Sequence, residues 1–537
     1  MILIILFLTV IFLFFLKNHY KKSRYPPGPL PLPIFGNIHN LAYQTWINGG
    51  IVGALNYYRR NYGNAFTIWL GSMPTVNITN YDMAQEIFVK SGKKCADRQL
   101  APILEHVTGK MGLWGSHGYD GYYNGAMGTI KMVLPRVESR NHGCGLGLLT
   151  ANGENWAEMR RFTLLAFRKL GVGSGPMEAK IMTELDGRCS ELDAQISKNG
   201  KVVVPVEFFD LTVGSVINSL LIGKRFDENT KDDFLKIKKL FDDSTETFNL
   251  FDLNVPVWFL KWFSPRRFEL TWNSRQRILD HVGKEAVERM KKLETGDYEL
   301  DEENPKDFVD CFLAKMMAER EKGKDGHPGY SLDALRIVLH DLWLAGQGTT
   351  ATTLYVGFMK LVNHPHVIFR IREELQNLTQ KSRVLTLQDR PKTPYLNATI
   401  AEIQRHASIL NVNFWRINNE KINFQEYEVP SGAMMTAQIG ALHVNDEFFD
   451  NPKKFEPERF LKNEKLLQQI IPFGIGKRSC VGEQFARSEL YLVFGNLLLR
   501  YDIKAHGATP TNEDVFPYSS AKLPDTSGTL EFSKTDN

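Results

Sequence analysis

Apolar positions recur every three or four residues over several long stretches, the spacing that gives a helix one buried face. They predict helices over Asn152 to Lys169, Met177 to Lys198, Val206 to Ile222, Arg266 to Leu293, Pro305 to Arg320, Ser331 to Val362 and Pro365 to Leu378. Ser331, with Asp333 in the first turn, supplies a start for the longest of these, and Asn363-His364-Pro365 supplies a stop. That helix should run roughly 48 Å at about 1.5 Å per residue. Two runs of β-branched and aromatic residues, Ala65 to Leu70 and Thr75 to Ile78, flank a Gly71/Pro74 turn and predict a hairpin. Short strands are expected between Val412 and Ala441, and a last helix over Glu483 to Arg500. The pattern is therefore mainly α with a small β region.

The first residues depart from this periodicity. Ile2 to Leu16 is apolar apart from Thr9 and is followed by Lys17, His19, Lys21, Lys22 and Arg24. The run is shorter than the about 20 residues that a bilayer core takes. No basic stretch precedes it and no small-residue cleavage site follows it, which favours a retained membrane anchor over a secretory signal peptide. The basic flank belongs on the cytoplasmic side, leaving the sequons at Asn77, Asn377 and Asn397 unused. The organisation expected is an anchor with its basic flank over 1–25, a stiff proline-rich hinge over 26–37 and a catalytic domain over 38–537.

Charge and cysteine usage narrow the function. The chain has 65 Lys plus Arg against 61 Asp plus Glu, so no nucleic-acid partner is indicated. Its five cysteines, Cys95, Cys144, Cys189, Cys311 and Cys480, are odd in number and lack close pairing, which disfavours a disulfide framework and a zinc cluster. Gly109 to Gly147 carries ten glycines and no sustained period. So long a structureless stretch inside a domain is improbable; it reads as a flexible insertion or as sequence absent from the mature protein, such as translated intron.

The chemistry concentrates in Phe473-Gly474-Ile475-Gly476-Lys477-Arg478-Ser479-Cys480-Val481-Gly482-Glu483. Two glycines allow a tight turn beneath a flat ligand, and Cys480 precedes a helix whose N-terminus favours a thiolate. Arg478 is placed to hold an anionic group. The run resembles the cysteine loop of the cytochrome P-450 family, whose thiolate-ligated heme favours O–O cleavage. Further motifs follow in the family's order. Glu402-Ile403-Gln404-Arg405 resembles its Glu-x-x-Arg helix, with Arg459 of Pro457-Glu458-Arg459-Phe460 completing a structural triad. Trp156-Ala157-Glu158-Met159-Arg160 resembles the helix that meets the heme propionates, and Arg416 lies where the family often places another cation.

The resemblance implies a cytochrome P-450 fold with heme b between the long distal helix and the proximal loop. Cys480 is then the axial iron ligand, and Trp156, Arg160, Arg416, Arg478, Phe473, Gly474 and Gly476 are the other heme-binding residues. It implies a monooxygenase that inserts one atom of dioxygen into a small apolar substrate such as a lipid, steroid or xenobiotic. Gly143-Cys144-Gly145-Leu146-Gly147 and Gly171-Val172-Gly173-Ser174-Gly175 lack the strand-turn-helix setting of a dinucleotide site. Electrons are therefore expected from NADPH through a separate flavoprotein reductase docking near Lys477, with cytochrome b5 as a further partner, at the endoplasmic reticulum membrane.

One departure matters. Where the family commonly has Ala-Gly-x-(Asp/Glu)-Thr, this chain has Ala345-Gly346-Gln347-Gly348-Thr349: the alcohol of Thr349 is kept, and Gly348 replaces the acid. Two interior glycines, each costing about 1 kcal/mol against alanine, are expected to loosen the helix there, and oxygen activation without the acid is expected to leak peroxide. Alternatives are a heme-thiolate isomerase or dehydratase acting on peroxides, or a catalytically impaired heme-binding protein. Substrate lining is expected from Leu342 to Ala345, Phe248 to Val257, Ile409 to Phe414 and Ser519 to Leu523.

Overall fold

The computed structural model describes residues 24–98, 146–199, 202–226, 229–247, 257–321, 329–508, 521 and 525–535. The anchor and nearly all of the glycine-rich stretch lie outside them, as do most of the lining segments at 248–257 and 519–523. Helices dominate: α1 (Ile38–Ile47), α2 (Ile51–Tyr62), α3 (Gly153–Lys169), α4 (Gly175–Asn199), α5 (Pro205–Ile222), α6 (Lys231–Thr247), α7 (Pro265–Thr295), α8 (Phe308–Glu321), α9 (Leu332–Val362), α10 (Pro365–Thr379), α11 (Pro394–Ala407) and α12 (Glu483–Arg500). The described strands are β1 (Ala65–Leu70), β2 (Met73–Ile78), β3 (Val202–Val203), β4 (Arg416–Ile417), β5 (Ile422–Phe424), β6 (Tyr427–Val429), β7 (Met434–Ala437), β8 (Tyr501–His506) and β9 (Thr529–Lys534), and one small sheet takes the order β1, β2, β7, β4. Its β1–β2 pair is the expected hairpin, closing at Leu70 opposite Met73, and β2 runs parallel to β7.

The main core lies where α5 and α9 pack together, joined by α7 and α12. Both α5 and α9 are apolar around most of their circumference, the composition of a helix buried on all sides. By length and hydropathy α5 could cross a membrane, yet 83% of it is buried inside the protein. Ser331 caps α9 as expected, its hydroxyl accepting the Ala334 N–H at 3.1 Å. In α8 the start moves from Pro305 to Phe308, because the Asp307 carboxylate accepts the Asp310 N–H at 3.0 Å and sets the first turn there.

The expected loosening of α9 is not found. The helix is continuous from Leu332 to Val362 through both glycines. Packing explains this: a methyl group at Gly346 would lie 3.0 Å from the Ile217 side chain of α5, and one at Gly348 would lie 3.1 Å from the Phe241 ring of α6. The glycines buy close helix contact, which offsets their low helical propensity. Helix α6 itself was not expected from the sequence, because its apolar positions, Phe234, Leu235, Ile237, Leu240 and Phe241, are interleaved with a run of lysines and aspartates.

A buried charge cluster secures the opposite side. Glu402 on α11 is fully buried and receives two parallel bonds of 2.8 Å from Arg405 Nε and Nη2. Arg459 adds a third at 3.1 Å. Both guanidiniums spend their remaining donors on carbonyls: Arg405 on His443 and Pro452, Arg459 on Asp450 and Lys454. Burial alone would raise the Glu402 carboxyl, but the bonds from Arg405 and His406 outweigh it and hold it at about 2. Burial likewise pushes His406 down to about 4.

Two expectations follow. Removing the carboxylate by Glu402→Gln leaves two buried guanidiniums without their anion and should cost about 3–5 kcal/mol, measured as a fall in denaturation midpoint. A depressed carboxyl contributes stability that is complete above about 4.5 and is lost as pH falls through about 2. The stability gap between parent and variant should therefore narrow between pH 7 and pH 3; a constant gap would show that the ionised carboxylate is not its source.

Candidate active site

The Cys480 loop is shaped by its glycines. Gly474 and Gly476 both have φ of +73°, a region that side-chain-bearing residues rarely adopt. At Gly476 any Cβ would stand 1.9 Å from the Phe88 carbonyl oxygen, so only glycine lets the loop lie against that backbone. The turn is fixed by N–H groups of Gly474, Ser479 and Cys480 donating to carbonyls of Ile471, Gly476 and Phe473, the last at 2.8 Å. Phe473 thus positions Cys480 through its backbone, while its ring carries the Arg487 guanidinium at 4.8 Å.

Cys480 is exposed although protein encloses it closely. Burial pushes the Cys480 thiol upward, while the Gly482 N–H at the start of α12 and the Arg160 guanidinium act to favour its thiolate. On α9, Ala345 and Thr349 are likewise exposed, one turn apart on a helix that is otherwise mostly buried. The Thr349 hydroxyl donates to the Ala345 carbonyl at 2.7 Å.

Beside the loop stands a group of arginines. Arg478 donates to the carbonyls of Ala96 (2.6 Å), Ala151 (2.7 Å) and Leu148 (3.3 Å), and to Asn152 Oδ1 (3.0 Å), and its guanidinium lies 3.7 Å from the centre of the buried Trp156 ring. These donors tie the loop to two other chain segments. Arg160, on the same face of α3 as Trp156, donates among the described residues to Ser479 Oγ, at 3.3 Å. Arg416, at the start of β4, donates to the Ile475 carbonyl at 2.5 Å and lies 4.6 Å from the Phe88 ring centre, and its buried Nη1 has no partner among the described residues.

A fourth member, Arg98, was missed by sequence reasoning. It bonds the Leu149 carbonyl at 2.8 Å, lies 5.1 Å from the Phe414 ring centre, and its buried Nε has no partner among the described residues. It stands outside every motif, so nothing local marks it. Among the described residues none of the four makes an ion pair. Burial first, and then their mutual repulsion, lowers Arg98 and Arg416 to about 10 and Arg478 to about 8. Such a concentration of buried positive charge with unpartnered donors suits an anion carrying more than one charge. A flat group bearing two carboxylates, with a soft cysteine sulfur for its metal, fits these residues, and heme is such a group.

The comparisons with known proteins agree with this geometry. A family model for cytochrome P450 matches residues 26–113 and 131–530, leaving 114–130 unmatched inside the glycine-rich stretch. A probable cytochrome P450 cyp-35D1 of Caenorhabditis elegans is 62% identical over 535 residues, covering 99% of this chain and 100% of its own. Cytochrome P450 2B2 of Rattus norvegicus is 31% identical over 535 residues, 98% of each chain, and cytochrome P450 2C28 of Mesocricetus auratus is 30% identical over 510 residues, 94% of this chain and 93% of its own. With the cysteine loop, its arginines and matches across the chain's length all in agreement, this protein belongs to the cytochrome P450 family of heme-thiolate monooxygenases.

Proposed function

We propose that Cys480 supplies the axial thiolate of a heme b whose propionates are held by Arg98, Arg160, Arg416 and Arg478, with Trp156 supporting Arg478. The observation that carries this is the gathering of four arginines, none in an ion pair among the described residues, around the cysteine loop. When bound, a thiolate-ligated heme activates dioxygen for insertion of one atom into a C–H bond or double bond. The chain's own part is to position and to exclude: Gly474 and Gly476 shape the loop, Phe473 fixes Cys480, and Thr349 presents a hydroxyl from the distal helix beside Gly346 and Gly348.

Substrates are small and apolar, drawn from lipids, steroids or foreign compounds. Electrons come from NADPH through a flavoprotein reductase, with cytochrome b5 as an accessory donor, docking around the exposed Lys477. Residues 2–16 anchor the protein in the endoplasmic reticulum membrane, and the basic residues from Lys17 to Arg24 keep the catalytic domain on the cytoplasmic side.

The reduced carbon monoxide difference spectrum of the full-length protein tests the ligand assignment. The parent should give the thiolate-type Soret band and Cys480→Ser should lose it; an unchanged band in that variant rules Cys480 out. For the arginines, Arg160→Leu is the informative change, because among the described residues its one hydrogen bond is the weak one to Ser479. Losing a charge-assisted contact to a propionate should speed heme transfer to apomyoglobin about tenfold or more. Heme retention equal to the parent's would remove Arg160 from the propionate set.

A further inference from the structure

A concavity of about 360 Å³ lies between α3 and α8, and none of the residues lining it belongs to the candidate heme set. That volume is within the range of small-molecule sites. Small side chains make the room: Cys311, Ala314 and Ala318, spaced by three and four residues, share one face of α8, and Ala166 of α3 lines the same space. The lining also exposes apolar surface. Phe162 of α3 is half-buried, and its ring is held edge-on by those of Phe308, Phe312 and Tyr330 at 5.4 to 5.7 Å. Leu165, one turn from it, is 55% exposed.

The charges around this lining are unevenly answered. Arg161 pairs with Glu158 at 2.5 Å, and Glu158 also accepts the Tyr330 hydroxyl at 2.8 Å. Lys315 pairs with Glu319 at 2.7 Å and lies 5.3 Å from the Tyr330 ring centre. Asp310 receives Arg289 at 2.8 Å and the Tyr298 hydroxyl at 2.9 Å. The 301–302 end differs. Asp301 accepts the backbone N–H groups of Glu303 and Asn304, at 3.0 and 2.9 Å, and the Glu302 carboxylate makes no ion pair among the described residues. Lys169 donates to the Glu302 carbonyl and not to either carboxylate. Two carboxylates thus face one ammonium group, with the exposed Glu299 and Glu303 beside them in the chain. An aromatic and aliphatic lining under a rim with surplus negative charge is the complement of an apolar molecule carrying a positive charge.

We propose that the groove between α3 and α8 binds a small amphipathic cation, an aryl- or alkylammonium compound, whose apolar body lies along Phe162, Leu165, Ala314 and Ala318 and whose charge meets Asp301 and Glu302. The site is separate from the heme site and does not rest on the heme reading.

The test uses the full-length, heme-loaded protein and two probes with the same ring system: trimethyl(1-naphthylmethyl)ammonium, which cannot ligate iron, and 1-naphthylacetate. Naphthalene fluorescence follows binding. Its place is read from the rate at which Cys311 reacts with N-ethylmaleimide, measured by peptide mass spectrometry; burial pushes that thiol up to about 12, so the labelling is slow enough to time. The cation should bind with a Kd below about 1 mM and slow Cys311 labelling about threefold or more, and naphthylacetate at the same concentration should do neither. Ala314→Leu fills the groove, and the double change Asp301→Asn with Glu302→Gln removes the charge while keeping an oxygen for the Glu303 and Asn304 N–H groups. Each should weaken the cation about fivefold or more. Equal affinity for the two probes, no protection of Cys311, or cation binding unchanged in both variants would overturn the proposal. Should Ala314→Leu fail to fold, Ala318→Leu takes its place with the same direction expected, and the double variant changes exposed residues alone.

Discussion

Buried positive charge around the cysteine loop is the constraint on which the rest of the site depends. Moving a guanidinium out of water is costly unless its donors are met. Arg478 meets that requirement with carbonyls from residues 96, 148 and 151 and with the face of Trp156, so the same bonds that keep it inside also join the loop to α3 and to the segments flanking it. Arg416 does the corresponding work between the loop and the β sheet, through the Ile475 carbonyl and the Phe88 ring. The loop's glycines then become necessary: with the chain pulled this close to Phe88, no side chain fits at Gly476.

The two charge clusters of the protein differ in a way that separates architecture from function. Around Glu402 every charge has its counterpart, two guanidiniums sharing one carboxylate and donating the rest to carbonyls. Such a cluster fixes the relation between α11 and the segment bearing Arg459, and it asks for nothing further. Around Cys480 four cations stand together, and among the described residues Arg98 Nε and Arg416 Nη1 find no partner. A fold gains nothing by tolerating that cost alone, so the imbalance points outward, to a bound anion. Composition could not distinguish the two clusters; the hydrogen-bond geometry does.

Much of this was legible in the sequence where a local rule is rigid. The cysteine loop is readable because glycine and cysteine are required at fixed positions, and the Ser331 start of α9 because a cap is a one-turn interaction. What escaped was tertiary. Arg98 belongs to the site only because residues 98, 149 and 414 converge in space. Helix α6 was hidden by its charges. The loosening assigned to the glycines of α9 came from propensity, which packing against α5 and α6 overrides.

The distal helix makes the same point about what a glycine is for. Position 348 viewed along the chain is a deletion of chemistry, an acid replaced by a hydrogen atom. Viewed across helices it is a gain of contact, because Gly214, Gly346 and Gly348 together let α5, α6 and α9 meet closely: an added Cβ would stand 2.7 Å from Phe234 at the first, 3.0 Å from Ile217 at the second and 3.1 Å from Phe241 at the third. The Gln347–Asp210 and Lys238–Asp210 links cross the same junction, so a side chain added at one of these points presses on helices that polar bonds also hold together. The missing carboxylate and the close-packed junction are therefore one structural choice, and neither can be altered without moving the other.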